Sequence, residues 1–335
     1  MSALTISLLQ LIACAALVLL AGIRLARYGD ILATKTGLGG TWIGLVLMAT
    51  VTSLPELITG ASAVLVFDVP EIAVGDALGS CMFNLVILAC LDFGRRVPLS
   101  ATLHQGHVLS AGFGLVQLGG AALAMLAGPL APTVGWVGLH SLVFLAVYGA
   151  ATRTVSNFER TRISALAEEM TGEIRYRNVS RERTIVLFVL ASGVLVGAAT
   201  YLPGAGAAVA QHTGLDQSFV GSLFVAVATS LPEVVVSVAA ARIGALDMAA
   251  SNLFGSNLFN VAVLGIDDIL YSSGSLLAAV SAAHTITATA AMIMTAVAVI
   301  GLTYRAQRKR YRLAWDALAM ITVYLIATML LWRQG

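Results

Sequence analysis

Two stretches of this sequence repeat one another and gather residues with oxygen chemistry. Ala49, Thr52, Ser53, Leu54, Pro55 and Glu56 recur 177 positions later as Ala226, Thr229, Ser230, Leu231, Pro232 and Glu233. Downstream, Gly79, Ser80, Phe83 and Asn84 recur 176 positions later as Gly255, Ser256, Phe259 and Asn260. Ser53 and Glu56 are three apart and share a helical face, as do Ser230 and Glu233. Ser80 and Asn84, like Ser256 and Asn260, are four apart and share one too. Pro55 cannot donate to the carbonyl of Val51, nor Pro232 to that of Ala228, so each proline frees main-chain oxygen. Carboxylates, hydroxyls, amides and freed carbonyls are hard ligands, matched to Ca²⁺ or Na⁺ and poorly matched to soft transition metals.

The elements that carry these residues must lie in a membrane. Of 335 residues, 59% are apolar and 11% charged, whereas a soluble domain has about 25% charged residues. This composition excludes a soluble enzyme, a nucleic-acid binder, a disordered scaffold and a disulfide-stapled secreted module. Apolar runs between polar breaks predict ten helices near 4–23, 38–66, 71–92, 105–127, 131–152, 184–202, 214–242, 246–271, 276–303 and 313–332. The first lacks a basic flank before Arg24 and reads as a permanent span rather than a signal peptide. With ten spans, 18 of the 19 Lys and Arg residues fall on one side, which becomes the cytoplasmic side, with both termini outside. The charged linker 154–183 divides the chain into residues 1–153 and 184–335, with the repeated regions at 44–92 and 221–268. Five helices is an odd number, so the second half enters the membrane from the opposite side. The expected fold is therefore all-α, with ten transmembrane helices in two inverted five-helix repeats, an arrangement in which substrates bind between the repeats near the midplane.

Glu56 and Glu233 fall deep within spans 2 and 7, where a charge costs about 3 kcal/mol on insertion scales. No Lys or Arg lies deep in spans 2, 3, 7 or 8 to neutralise them, so a proton or a bound cation must. The paired Thr-Ser-Leu-Pro-Glu and Gly-Ser-x-x-Phe-Asn motifs resemble the repeats of the calcium/cation antiporter superfamily, and most resemble its sodium/calcium exchangers, over nearly the whole chain. The resemblance implies that Glu56 and Glu233 are shared Ca²⁺ and Na⁺ ligands. It adds oxygens from Ser53, Ser230, Thr52 and Thr229 and from the carbonyls of Ala49 and Ala226. Ser80 and Ser256 would complete outer Na⁺ positions, with Asn84 and Asn260 at the centre. It further implies a minimal prokaryotic-type secondary transporter rather than an enzyme, in a cell (inner) membrane. Ca²⁺ and Na⁺ would be substrates, with no cofactor, no nucleic acid and no obligate protein partner. Spans 1 and 6 would slide past the rest. The linker, about thirty residues by the predicted spans, is too short for a folded calcium-sensing domain.

Some microbial exchangers of the family this chain resembles have an aspartate at the position of Asn260, and potassium-dependent relatives an acid. By that resemblance, asparagine here argues against potassium dependence and removes one possible proton site. Asp76 stands where Asn252 sits in the second copy, four residues before Ser80, and is a candidate accessory ligand. Cys81 replaces the asparagine found at Asn257. Asp92 and Asp268 are repeat-related but nearer the helix ends, and read as interfacial charges. His107 and His284, also repeat-related, read as interfacial packing, with a pH-sensing role as the alternative. Cys14, Cys81 and Cys90 lack metal-type spacing and are expected to be buried thiols. The run Arg305–Arg312 suits an anchor on anionic lipid. Three other functions remain at this level. A H⁺/Ca²⁺ antiporter would protonate the same glutamates. An intramembrane aspartyl protease would need a second catalytic aspartate where the repeat supplies Asn252. A passive channel would lack counterflow.

Overall fold

The computed structural model describes residues 3–36, 38, 40–167, 179–201, 226–310 and 312–334. Inside lipid every main-chain polar group must be satisfied within the chain, and long helices do this. We number them α1 (Ala3–Thr36), α2 (Gly40–Leu65), α3 (Pro70–Leu91), α4 (Gly106–Ala127), α5 (Leu139–Ala167) and α6 (Arg181–Thr200). Then follow α7 (Ala226–Thr229 and Leu231–Arg242), α8 (Leu246–Leu270), α9 (Ala283–Tyr304) and α10 (Trp315–Gln334). Among the described residues, eight helices are long and apolar enough to cross a membrane. The two outside that count are α5, which is charged from Arg153 onward, and α7, which is described only from Ala226. The first half of the predicted seventh span lies outside the described residues.

Four boundaries differ clearly from expectation: α1 runs on to Thr36 instead of ending near 23, α9 begins at Ala283, after a separate turn of helix at Leu276–Ala279, instead of near 276, and both ends of α5 move. Residues 131–138 do not begin α5. Pro132, Gly135 and Gly138 favour a turn, and the chain forms a small hairpin pairing Thr133–Val134 with Val137–Gly138. At its other end α5 continues to Ala167, so residues 154–167 of the expected linker are helical. No Gly or Pro interrupts that stretch, and its Arg, Glu, Leu and Ala residues favour helix.

Burial identifies the centre. In α3 and α8, 83% of the membrane-span window is buried, against 35% in α1, 33% in α6 and 28% in α10. The outer faces of α1, α4, α6 and α10 expose Leu20, Leu126, Leu190 and Leu325, while Ser53, Ser80, Ser230 and Ser256 are buried. An apolar exterior around a polar interior is what a lipid solvent selects. Asn84 and Cys81 meet Asn257 while Asp76 lies within electrostatic reach of Asp267, so α3 and α8 cross with opposite directions. α1 packs along α6 and against α7, through Leu25, Ala26, Leu195 and Val236.

Several residues read from sequence as interfacial are structural clasps. Asp92 is buried, accepts from Leu99 N and Ala314 N at 2.7 Å each, and pairs with Lys309 Nζ at 2.6 Å. Asp268 is also buried. Its Oδ1 accepts from Leu276 N at 2.6 Å, and its Oδ2 from Gly138 N and Ser141 Oγ at 2.7 Å. Their place near helix ends is as expected, but loop amides fold over both carboxylates and remove them from the interface. The histidines clasp across the halves. His107 Nε2 meets Asp247 Oδ1 at 2.9 Å, and His284 Nε2 meets Glu71 Oε2 at 2.7 Å, with each acid in the first turn of the helix it opens. An acid there also complements the helix dipole. Of the cysteines, Cys81 is buried, Cys14 is half-buried, and Cys90, in the last turn of α3, is exposed.

Lys309 and Asp92 are both almost fully buried, and removing one partner of such a pair costs about 3–5 kcal/mol. Asp92→Ala is therefore expected to lower the unfolding temperature of the detergent-purified protein sharply. An unchanged melting curve would contradict this anchoring role.

Candidate cation site

Each repeated pentapeptide breaks its helix in the same way. At Ser53 the backbone leaves helical geometry (φ −94°, ψ 9°), and at Ser230 it does so again (φ −79°, ψ 6°). Each break falls two residues before a proline that cannot donate a backbone hydrogen bond. Ahead of the first break, Ile43–Met48 adopts a π-helix, a form frequent near functional sites. Glu56 and Glu233 thus stand in the first turn of the helical segment after each break, both fully buried.

The two halves meet here reciprocally. Ser53 Oγ donates to Glu233 Oε1 at 2.8 Å, and Ser230 Oγ donates to Glu56 Oε1 at 3.2 Å. From the neighbouring helices, Ser256 Oγ reaches Glu233 Oε1 at 3.2 Å and Ser80 Oγ reaches Glu56 Oε1 at 3.4 Å. The second oxygen of each glutamate, Oε2, has no hydrogen-bond partner. One oxygen of each carboxylate is fixed by hydroxyls from both halves, and the other is buried and unpaired.

The threonines continue the pattern. Thr229 Oγ1 donates to Asp76 Oδ1 at 2.8 Å, and Thr52 Oγ1 stands 3.4 Å from Asn252 Oδ1, the position equivalent to Asp76. Thr52 also lies 3.3 Å from the carbonyl of Ala49, and Thr229 lies 3.1 Å from that of Ala226, to which Ser80 Oγ comes within 3.4 Å. Asp76 therefore does join the cluster, with Oδ2 left unpaired. Asn84 Nδ2 donates to Asn257 Oδ1 at 3.0 Å, while its own Oδ1 and both amide atoms of Asn260 are buried without partners. Cys81 ties α3 to α8 through Asn257: its carbonyl accepts from Asn257 Nδ2 at 3.1 Å, and its Sγ donates to the carbonyl of Asn257 at 3.7 Å.

All twelve residues singled out from the motifs, with Asp76, are thus brought to the kinks of α2 and α7 and the middle of α3 and α8. The sequence reading did not single out Asn257 as a contact residue, nor Ser237, whose Oγ accepts from Asn252 Nδ2 at 3.1 Å, nor Asp267, which is treated below. Asn257 could have been suspected as the polar partner of Cys81 in the repeat. Asp267 breaks the repeat, and its signal is an intramembrane acid. Among the described residues no three His, Cys, Asp or Glu side chains converge as a metal-binding group. Any cation held here relies on hydroxyl, amide and main-chain oxygens beside the carboxylates.

A sequence profile of the sodium/calcium exchanger protein family matches residues 6–156 and 183–333. The chain is 31% identical over 222 residues to the uncharacterized membrane protein MJ0091 of Methanocaldococcus jannaschii, covering 65% of this chain and 67% of that protein. It is 27% identical over 258 residues to the inner membrane protein YrbG of Escherichia coli, 74% of each chain. Its fold is similar to a solved structure of the sodium-calcium exchanger NCX_Mj, with a TM-score of 0.73 at 20% identity, covering 98% of this chain and 99% of the other. With both halves matched and the two glutamates paired across them, this chain belongs to the sodium/calcium exchanger family.

Proposed function

We propose that this protein is a secondary antiporter that exchanges Ca²⁺ for Na⁺ by alternating access at the site between its halves. The observation that carries the reading is the pair of buried glutamates, each with one oxygen held by hydroxyls of both halves and one unpaired. The ligands would be Glu56 and Glu233, Ser53, Ser230, Thr52, Thr229, Ser80 and Ser256, the amides of Asn84 and Asn260, and the carbonyls of Ala49 and Ala226. Asp76 would assist. These are hard oxygens, and a cation supplies the positive charge that no Lys or Arg brings to them.

Coupling follows from competition. Ca²⁺ and a full set of Na⁺ need the same two carboxylates, so one must leave before the other binds. The small number of charges favours release as well as capture, because ligand charge sets cation affinity. α1 and α6 lack the repeated polar motifs and pack on one another, and they would slide together to open one side at a time. The chain would cross the membrane ten times as two inverted repeats with both termini outside, placing the arginine-rich segments in the cytoplasm. The inner-membrane designation of YrbG supports the same location here.

The test is reconstitution in liposomes with calcium-45 uptake, first under an outward Na⁺ gradient at equal pH, then under a pH gradient without Na⁺. Uptake driven by Na⁺ is expected. Uptake driven only by protons would reassign the same site to H⁺/Ca²⁺ exchange, and no uptake under either gradient would overturn calcium transport.

A further inference from the structure

Asp267 falls within the second repeated region but is not itself repeated, since the residue 176 positions earlier is Leu91. Its side chain is fully buried, and neither carboxylate oxygen has a hydrogen-bond partner among the described residues. The carboxylate is seated on Gly60 of α2, where any Cβ would collide with Oδ2 of Asp267. In the second half the position equivalent to Gly60 is Ser237, which receives a hydrogen bond from Asn252 Nδ2 at 3.1 Å. The near-symmetry of the halves is broken here: the first has Gly60 and Leu91 where the second has Ser237 and Asp267, and the carboxylate of one half is nested on the glycine of the other.

Gly60 is four residues beyond Glu56 on the same face of α2, a rise of about 6 Å. Asp267 therefore stands about one helical turn from the cation site. The charged groups around it are acidic. Asp76 acts on it from α3, and Glu56 is the nearest acid on α2. The adjacent Asp268 turns away to Gly138, Ser141 and Leu276, with His140 of α5 beside it. Within α2, α3 and α8 there is no Lys or Arg, and among the described residues α7 has only Arg242, in its last turn. Among the described residues an ionised Asp267 would have neither a hydrogen bond nor a counter-cation, and a bound proton removes that penalty.

We propose that Asp267 is a proton-binding site coupled to the cation site: it holds a proton when the glutamates lack a cation and gives it up when one binds. The inference rests on the glutamates being the cation ligands. The arriving positive charge favours the ionised carboxylate, so the O–H bond breaks, the carboxylate keeps the electron pair and the proton leaves to water. By linkage, a proton on Asp267 weakens cation binding to the same degree.

The experiment counts protons released by the purified full-length protein in weakly buffered detergent solution when Ca²⁺ is added. A pH-indicator dye reads the protons, and calcium-45 equilibrium binding gives the occupancy. Asp267→Asn is expected to bind Ca²⁺ but to release about one proton fewer per ion. The pH dependence of its calcium affinity should lose up to about a factor of ten per pH unit. Equal proton counts in the two proteins, or none from the wild type, would overturn the proposal. Failure of the wild type to bind Ca²⁺ would instead overturn the reading of the glutamates, and would be seen before any variant is compared. Should the asparagine variant not fold, Asp267→Leu, which matches Leu91 in the first half, is read in the same way.

Discussion

Glu56→Gln or Glu233→Gln is expected to reduce calcium exchange in liposomes by at least about a hundredfold. Glutamine keeps the size and one acceptor oxygen, so Ser53 Oγ or Ser230 Oγ retains a partner. What disappears is the charge, and with it most of the attraction for a divalent cation. A loss of about 3 kcal/mol in binding, comparable to removing one partner of a buried ion pair, corresponds to roughly a hundredfold in affinity. The folded protein should not suffer, because a neutral amide in this buried position avoids the cost of an uncompensated charge. Thermal unfolding at or above the wild-type temperature, together with lost flux, is the expected pair of results. Full exchange by either variant would remove the glutamates from the site.

The second large effect is expected at Gly255. A Cβ there would stand 2.5 Å from the carbonyl oxygen of Leu45 and 2.8 Å from the Cβ of Ala49. The first of these neighbours is backbone of α2, which no rotamer change can move aside. Helices approach this closely in membranes where small residues allow it. Gly255→Val must push α8 from α2, and overpacking of this kind costs about 1–3 kcal/mol or more. The displacement acts beside Ser256, a hydroxyl on Glu233, and opposite Ala49, so flux should fall along with stability. Size-exclusion profiles and calcium-45 uptake measure the two effects. Wild-type behaviour in both would show that the crossing tolerates a wider spacing.

Much of the site was legible in the sequence because it is written twice. Thr-Ser-Leu-Pro-Glu specifies a kink, a freed carbonyl and a carboxylate in one turn, and its recurrence announces the partner. What the sequence could not show is who donates to whom. Spacing placed Ser53 beside Glu56 on one helix, yet its hydroxyl bonds Glu233 of the other half. Asp92 and Asp268 gave away their position near helix ends, but not the loop amides that enclose them, because loop closure depends on tertiary packing. The overrun of α5 was readable in principle, since residues 153–167 lack any helix breaker, but their charge suggested a linker. Asp267 stayed hidden because the comparison of halves returns Leu91, and only the glycine notch beneath it shows that the difference was accommodated.

The crossed serine–glutamate contacts also bear on ownership. Each half supplies one of the two hydroxyls held by the other half's carboxylate, so neither half alone completes the hydrogen bonding of its own glutamate. One half by itself would present its glutamate without the serine hydroxyl that crosses from the other. Joining the two in one chain fixes that partnership at one to one, and it leaves each copy free to drift where the other still meets the need. Gly60 and Asp267 in place of Ser237 and Leu91 are what such freedom looks like.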